Sequence, residues 1–124
     1  MSNQTLTKNL IAEAGIASYR IVKFGSTDDY VVQGAAVSDL LIGVVETVAP
    51  SAGERCDVVM AGIAEVSIGG NVTRGALLTS NGSGQGVAAA PAAGANNSVI
   101  GRALMSGQSG DVIPVLLAPG IMQG

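Results

Sequence analysis

With 124 residues the chain has room for one modest core and not for two domains. It is 48% hydrophobic but only 2% aromatic and has no Trp, so the core must be Val, Ile, Leu and Ala. So little aromatic area to bury favours support from oligomerisation. Six Lys and Arg against nine Asp and Glu, with no basic cluster, argue against binding a nucleic-acid backbone.

The chain opens with "MSNQTLTKNLIAEAGIA", polar and then mildly apolar, which reads as an N-terminal arm over residues 1–17 with Leu6, Leu10, Ile11 and Ile16 as its apolar positions. Its polar start and Glu13 do not make a secretory signal, so synthesis in the cytoplasm is expected. Gly, Ser, Pro or a charge breaks every apolar run well short of the about 18 residues of a membrane-spanning helix. The chain therefore reads as soluble, with no membrane partner.

Residues 18–124 read as a single β-domain. Val- and Ile-rich runs alternate with turn signals, the pattern of short strands. "YRIVKF" is followed by "GSTDD" and then "YVVQ"; "LLIGVVETVA" runs into "PSAGE", "DVVMAGIAEVSI" into "GGN", and "ALLTS" into "NGSGQG". "AAAPAAGANN" holds good helix formers, but Pro91 and Gly94 cut it too short, so it reads as a loop. The predicted fold is all-β: a small Gly-rich β-barrel or sandwich of short antiparallel strands with an extended N-terminal arm.

One pattern occurs twice. "IGVVETVAPSAGERCDVVMAGI" starts at Ile42 and "IGRALMSGQSGDVIPVLLAPGI" at Ile100. Each has Ile-Gly opening an apolar strand, a turn of small residues, Gly before an acid (Gly53-Glu54, Gly110-Asp111) and an aliphatic strand ending in Gly-Ile. This predicts paired hairpins. Gly43 and Gly101 inside strands predict bends or bulges, as in a small barrel. Pro114 cannot donate to a ladder, which places its strand at an edge or at a bulge, with a subunit interface nearby.

Little in the sequence resembles chemistry. Without His, the Ser-His-Asp and Cys-His arrangements and the imidazole metal ligands are absent. Cys56 is the sole cysteine and reads as a small buried side chain. Asp28 and Asp29, the one carboxylate pair weighed as a cation site, lie in a turn that favours Asp for its own backbone. "GSGQG" from Gly82 to Gly86 lacks the Lys and helix of a phosphate loop and reads as a hairpin tip. "GGNVTRG" lacks the same features, so Arg74 reads as a surface or interface charge, and Arg102 as an ion-pair or subunit contact. The aromatics Tyr19, Phe24 and Tyr30 fall near the first hairpin and read as core or interface packing. These readings give no enzyme, no cofactor and no metal.

Taken together, "NLIAEAGIASYRIVKFGSTDDYVVQGAA", the stretch from "LIGVVETVAPS" to "GVAAAP", and above all "VIGRALMSGQSGDVIPVLLAPGIMQG" resemble the small capsid cement, or head decoration, proteins of tailed bacteriophages. The resemblance covers nearly the whole chain and rests on the order of Gly and aliphatic patterns. It implies a virion protein on the outer capsid surface that clamps neighbouring major capsid protein subunits as a trimer, or less often a dimer, without catalysis. On that basis Leu6, Leu10, Ile11 and Ile16 are expected coat contacts. Arg74, Arg102 and Pro114 are expected at a subunit or coat interface. The competing readings are a ligand-binding module displayed on the virion and a tail-associated structural protein.

Overall fold

A computed structural model of the protein describes residues 6–124. The Val- and Ile-rich runs become nine strands: β1 (Leu6–Ala12), β2 (Arg20–Phe24), β3 (Tyr30–Gln33), β4 (Leu41–Val45), β5 (Arg55–Ser67), β6 (Leu77–Ser80), β7 (Gly86–Ala88), β8 (Asn96–Ala103) and β9 (Val112–Gln123). No helix occurs among the described residues, and the segment between β7 and β8 is a loop, as the sequence predicts.

The strands run β1-β3-β2-β4-β5-β9-β8-β6-β7, and β1 also pairs with β5. The first five therefore close into a barrel. Its seam is the antiparallel β1–β5 ladder from Leu6↔Ala61 to Ile11↔Arg55, with a parallel β1–β3 pairing beside it. β5 is long enough to serve twice: its first half pairs with β1 and β4, and Gly62–Ser67 pairs with β9. Gly62 sits at the change of partner with φ +93°, a conformation that costs an L side chain about 1–2 kcal/mol.

The twin hairpins are part of a larger duplication. β5 stands to β9 and β7 as β1 stands to β5 and β3. In the first half the Ala12 N–H donates to the Glu54 carbonyl at 2.8 Å, and Gly53 N–H returns a bond to Ala12 at 2.7 Å. In the second, Ile68 donates to Asp111 at 2.8 Å and Gly110 returns to Ile68 at 2.8 Å. Glu13 N–H to Val31 is matched by Gly69 N–H to Gly86, each at 2.9 Å, and a parallel Ile68↔Gly86 bridge closes the second ring. Tyr19 (φ +60°) and Gly75 (φ +92°) hold equivalent places before β2 and β6.

The core follows the duplication. Leu10, Ala12, Ile16, Val22, Val31, Ile42, Val45, Cys56 and Val58 fill the first ring. Val66, Ile68, Val72, Leu78, Ile100, Ala103, Ile113 and Val115 fill the second, joined in one cluster to Ile21, Leu41, Val44 and Val59 from the outside of the first. One ring thus packs against the wall of the other.

Two expectations need correction. Residues 6–12 are a barrel strand and not a separate arm, because alternate apolar positions let Leu10 and Ala12 enter the core while the backbone completes the β5 ladder. Residues 1–5 lie outside the described residues. Pro114 lies in a central strand, between β5 and β9's other neighbour β8, and not at an edge. Its carbonyl accepts from Leu104 N–H at 3.0 Å, on the β8 side. The missing N–H lies on the same side, opposite Leu104, so the proline withholds the return bond of that pair and the β8 ladder ends at Ala103.

The β3–β4 connection is fixed by Asp39. Its Oδ2 accepts the Ala35 and Ala36 N–H groups, each at 2.8 Å, and its Oδ1 lies 3.3 Å from Lys23 Nζ. Burial acts to raise its pKa, but those two N–H bonds and the Lys23 ammonium outweigh it, so the carboxyl titrates below its ordinary value. A lowered folded-state pKa gives stability that is complete above the ordinary carboxylate range and lost as pH falls through the lowered value. Asp39→Asn is expected to cost about 1 kcal/mol at pH 7, and its urea midpoint should converge on the wild-type one as pH falls through the lowered value.

Candidate functional site

The chemistry-bearing residues are dispersed. Cys56 is buried in the first ring; burial pushes its thiol up, and the neighbouring Asp57 carboxylate adds to the shift. A raised thiol pKa suppresses the thiolate that reactivity needs. Asp28 and Asp29 form the predicted turn, with Tyr30 N–H donating to Thr27 O at 3.3 Å and Asp29 at φ +69°. No group of three or more metal-ligating side chains occurs among the described residues. The 82–86 loop is a hairpin tip between β6 and β7: Asn81 Oδ1 accepts from Ser83 N–H at 2.8 Å and Gln85 N–H at 3.0 Å. Ile21 N–H donates to Gly84 O at 2.8 Å and ties the tip to β2.

Phe24 is not in the core. It is 59% exposed and borders an open depression of about 570 Å³ with Gly25 to Asp29.

The four arm positions separate by burial. Leu10 and Ile16 are buried among first-ring side chains and have no surface to offer, which corrects their reading as coat contacts. Leu6 is 62% exposed and Ile11 half-buried. Arg74 is exposed in the turn before β6, its N–H bonded to Ser106 Oγ at 3.0 Å.

Arg102 and Pro114 are brought together. β9 lies between β5 and β8, and its register aligns two outward rows: Ile63, Leu116 and Arg102, then Glu65, Pro114 and Leu104. Val112 continues the stripe beside Ser67. Leu104, Val112 and Leu116 are 38%, 43% and 45% exposed, so the centre of this face is an apolar stripe in solvent. Arg102 donates to Gly75 O at 2.7 Å from one guanidinium nitrogen, and neither Arg102 nor Glu65 is in an ion pair among the described residues.

Ile63, Glu65, Leu104, Val112 and Leu116 were not singled out by sequence reasoning. A signal was there: in "DVIPVLL" the outward Val112, Pro114 and Leu116 alternate with the inward Ile113, Val115 and Leu117, leaving no polar face. The arrangement has the means for shape and apolar contact, flanked by one carboxylate and one guanidinium.

Among solved structures, the N base of the head fiber protein gp8.5 of bacteriophage phi29 superposes with a TM-score of 0.68 at 18% identity, covering 98% of this chain and 100% of that one. At that identity the likeness shows a shared fold. No curated protein sequence matches significantly. The phage cement protein family model matches residues 1–118, nearly the whole two-ring domain and the strand that closes it. This all-β chain belongs to the phage cement protein family.

Proposed function

We propose that this protein binds the outer surface of the phage capsid as a homotrimer and cements neighbouring major capsid protein subunits against the outward push of packaged DNA. The observation that carries this is the family match over residues 1–118. The architecture suits a clamp, which needs stiffness and contact area, because a closed barrel and a second ring sharing β5 form a stiff body. In this reading the protein is not an enzyme and takes no cofactor. Leu6, exposed where β1 begins, and the half-buried Ile11 near the other end of that strand are the coat contacts, and Arg74 faces the shell.

The energetics are those of linkage. A ligand that binds only the expanded shell stabilises it by RT ln(1 + [L]/Kd), about 2.7 kcal/mol per site at a hundredfold excess over Kd. A trimer also raises the effective concentration for its second and third contacts, so modest contacts suffice.

The test is to mix purified protein with undecorated, expanded heads of its own phage, pellet the particles and count bound copies per coat subunit. The expected result is saturation at a fixed ratio, with decorated heads surviving heat that bursts bare ones. Absence of binding to expanded heads overturns the proposal and favours a tail position or a displayed binding module.

A further inference from the structure

We propose that the outer face of β9 is the surface on which copies of this chain meet, around a symmetry axis running along that strand. The apolar stripe Val112, Pro114 and Leu116 would face the axis. Glu65 of each copy would meet Arg102 of the next. This deepens the homotrimer reading above and rests on it.

The duplication supplies an internal control. The first-ring counterparts of Val112, Pro114 and Glu65 are Arg55, Asp57 and Asn9, by the matched registers of the β1–β5 and β5–β9 ladders, and that of Leu104 is Glu46, by the repeats that begin at Ile42 and Ile100. On that ring the positions are polar, and three of them are bonded to one another: Asn9 Nδ2 donates to Asp57 at 3.1 Å, and Arg55 donates to Asn9 Oδ1 at 3.1 Å. The same backbone face therefore accepts charged residues where it meets solvent. Where that face of the first ring is apolar, at Val44 and Val59, the second ring covers it and both side chains are buried. Their second-ring counterparts are Arg102 and Leu116, both exposed. An apolar stripe on the second ring alone, at places the first ring either makes polar or buries, marks a surface kept for a partner.

The charges say which partner. Glu65 lies on one flank of the stripe and Arg102 on the other, one row apart. Rotation about an axis along β9 keeps every copy at the same height and brings the β5 flank of one against the β8 flank of the next. Opposite charges then face each other across each junction, offset by one row, about 7 Å along the strand and within reach of the two long side chains. Arg102 uses one guanidinium nitrogen on Gly75 and keeps other N–H donors for a carboxylate. A foreign surface would need its own matching pair of charges, and a second copy already carries one.

The test reads mass in solution, by sedimentation velocity on the full chain, with circular dichroism to check the fold. Leu116→Asp is expected to leave a folded monomer. Glu65→Arg and Arg102→Glu are each expected to weaken assembly by roughly tenfold or more, and the double charge swap to restore it. A wild-type trimer that persists in Leu116→Asp and in both single charge variants overturns this surface while leaving the trimer intact. Single variants that dissociate without rescue by the swap overturn the Glu65–Arg102 pairing. A wild-type monomer at high concentration overturns both this surface and the trimer, and head binding is then judged separately by the pelleting ratio.

Discussion

Replacing Gly101 with alanine is expected to cost about 3 kcal/mol or more, a large part of the roughly 5–15 kcal/mol that holds a domain of this size. A methyl group there would land on the Leu116 carbonyl oxygen, with the Leu116 carbonyl carbon at 2.9 Å and Leu117 Cα at 3.0 Å. All three are backbone atoms of the neighbouring strand and cannot swing aside as a side chain would. The register of β8 against β9 shifts at this point, which is how the strand bends without opening the ladder. Gly43 repeats the situation in the first ring: its added methyl would strike the Val59 carbonyl oxygen and come within 2.7 Å of Val58 Cγ1, beside the register shift between β2 and β4. Gly43→Ala is therefore expected to match Gly101→Ala in size. Gly15→Ala is the control, since nothing lies within 4 Å of its added methyl. Urea unfolding of the three variants checks this. Equal midpoints for Gly101→Ala and Gly15→Ala would remove the close approach as the reason for glycine.

Those two glycines also show how far the sequence could be read. Their matched places in "IGVV" and "IGRAL" reveal the twin hairpins, and the all-β class, barrel or sandwich, follows from strands cut by turn residues at close spacing. The rest of the duplication is hidden from the sequence because it lives in backbone bonds. Tyr19 and Gly75 share a left-handed backbone position, and Val31 and Gly86 share a ladder position, yet neither pair shares a side chain that would align them. The arm departs from expectation for a related reason: "LTKNLIA" is too polar to announce a core strand, and only closure against β5 shows that Leu10 and Ala12 fill the barrel. Pro114 departs from the expected edge or bulge because a proline rule says which bond the strand lacks, and here that bond falls at the end of β8, where the ladder can stop without a bulge. Of the docking face, Arg102 and Pro114 are legible as unusual residues in strands. Their meeting with Leu116 and Glu65 depends on register across three strands that are distant in sequence, which local pattern does not carry.

Deleting residues 1–12 is expected to open the barrel and leave a chain that aggregates. The deletion removes the whole β1–β5 ladder, the Ile11 N–H bond to Asp29 and both Ala12 bonds to the turn before β5. It exposes the edges of β3 and β5 together, and unpaired edges template association. It also takes Leu10 and Ala12 from the packing around Cys56 and Val58. Two point variants separate this structural role from contact with the shell. Leu10→Ala is expected to cost about 3 kcal/mol as a buried cavity, whereas Leu6→Ala should change stability by no more than about 0.5 kcal/mol. If Leu6 is a coat contact, Leu6→Ala will bind expanded heads more weakly with its urea midpoint unchanged. A deletion that failed to decorate heads would carry no such meaning, because losing the strand that closes the barrel and losing a contact residue would give the same empty pellet. The strand divides its two roles along its length, Leu10 turned into the barrel and Leu6 left in solvent beyond the register shift at Leu6/Thr7, so only a residue-by-residue comparison along β1 can assign the contact.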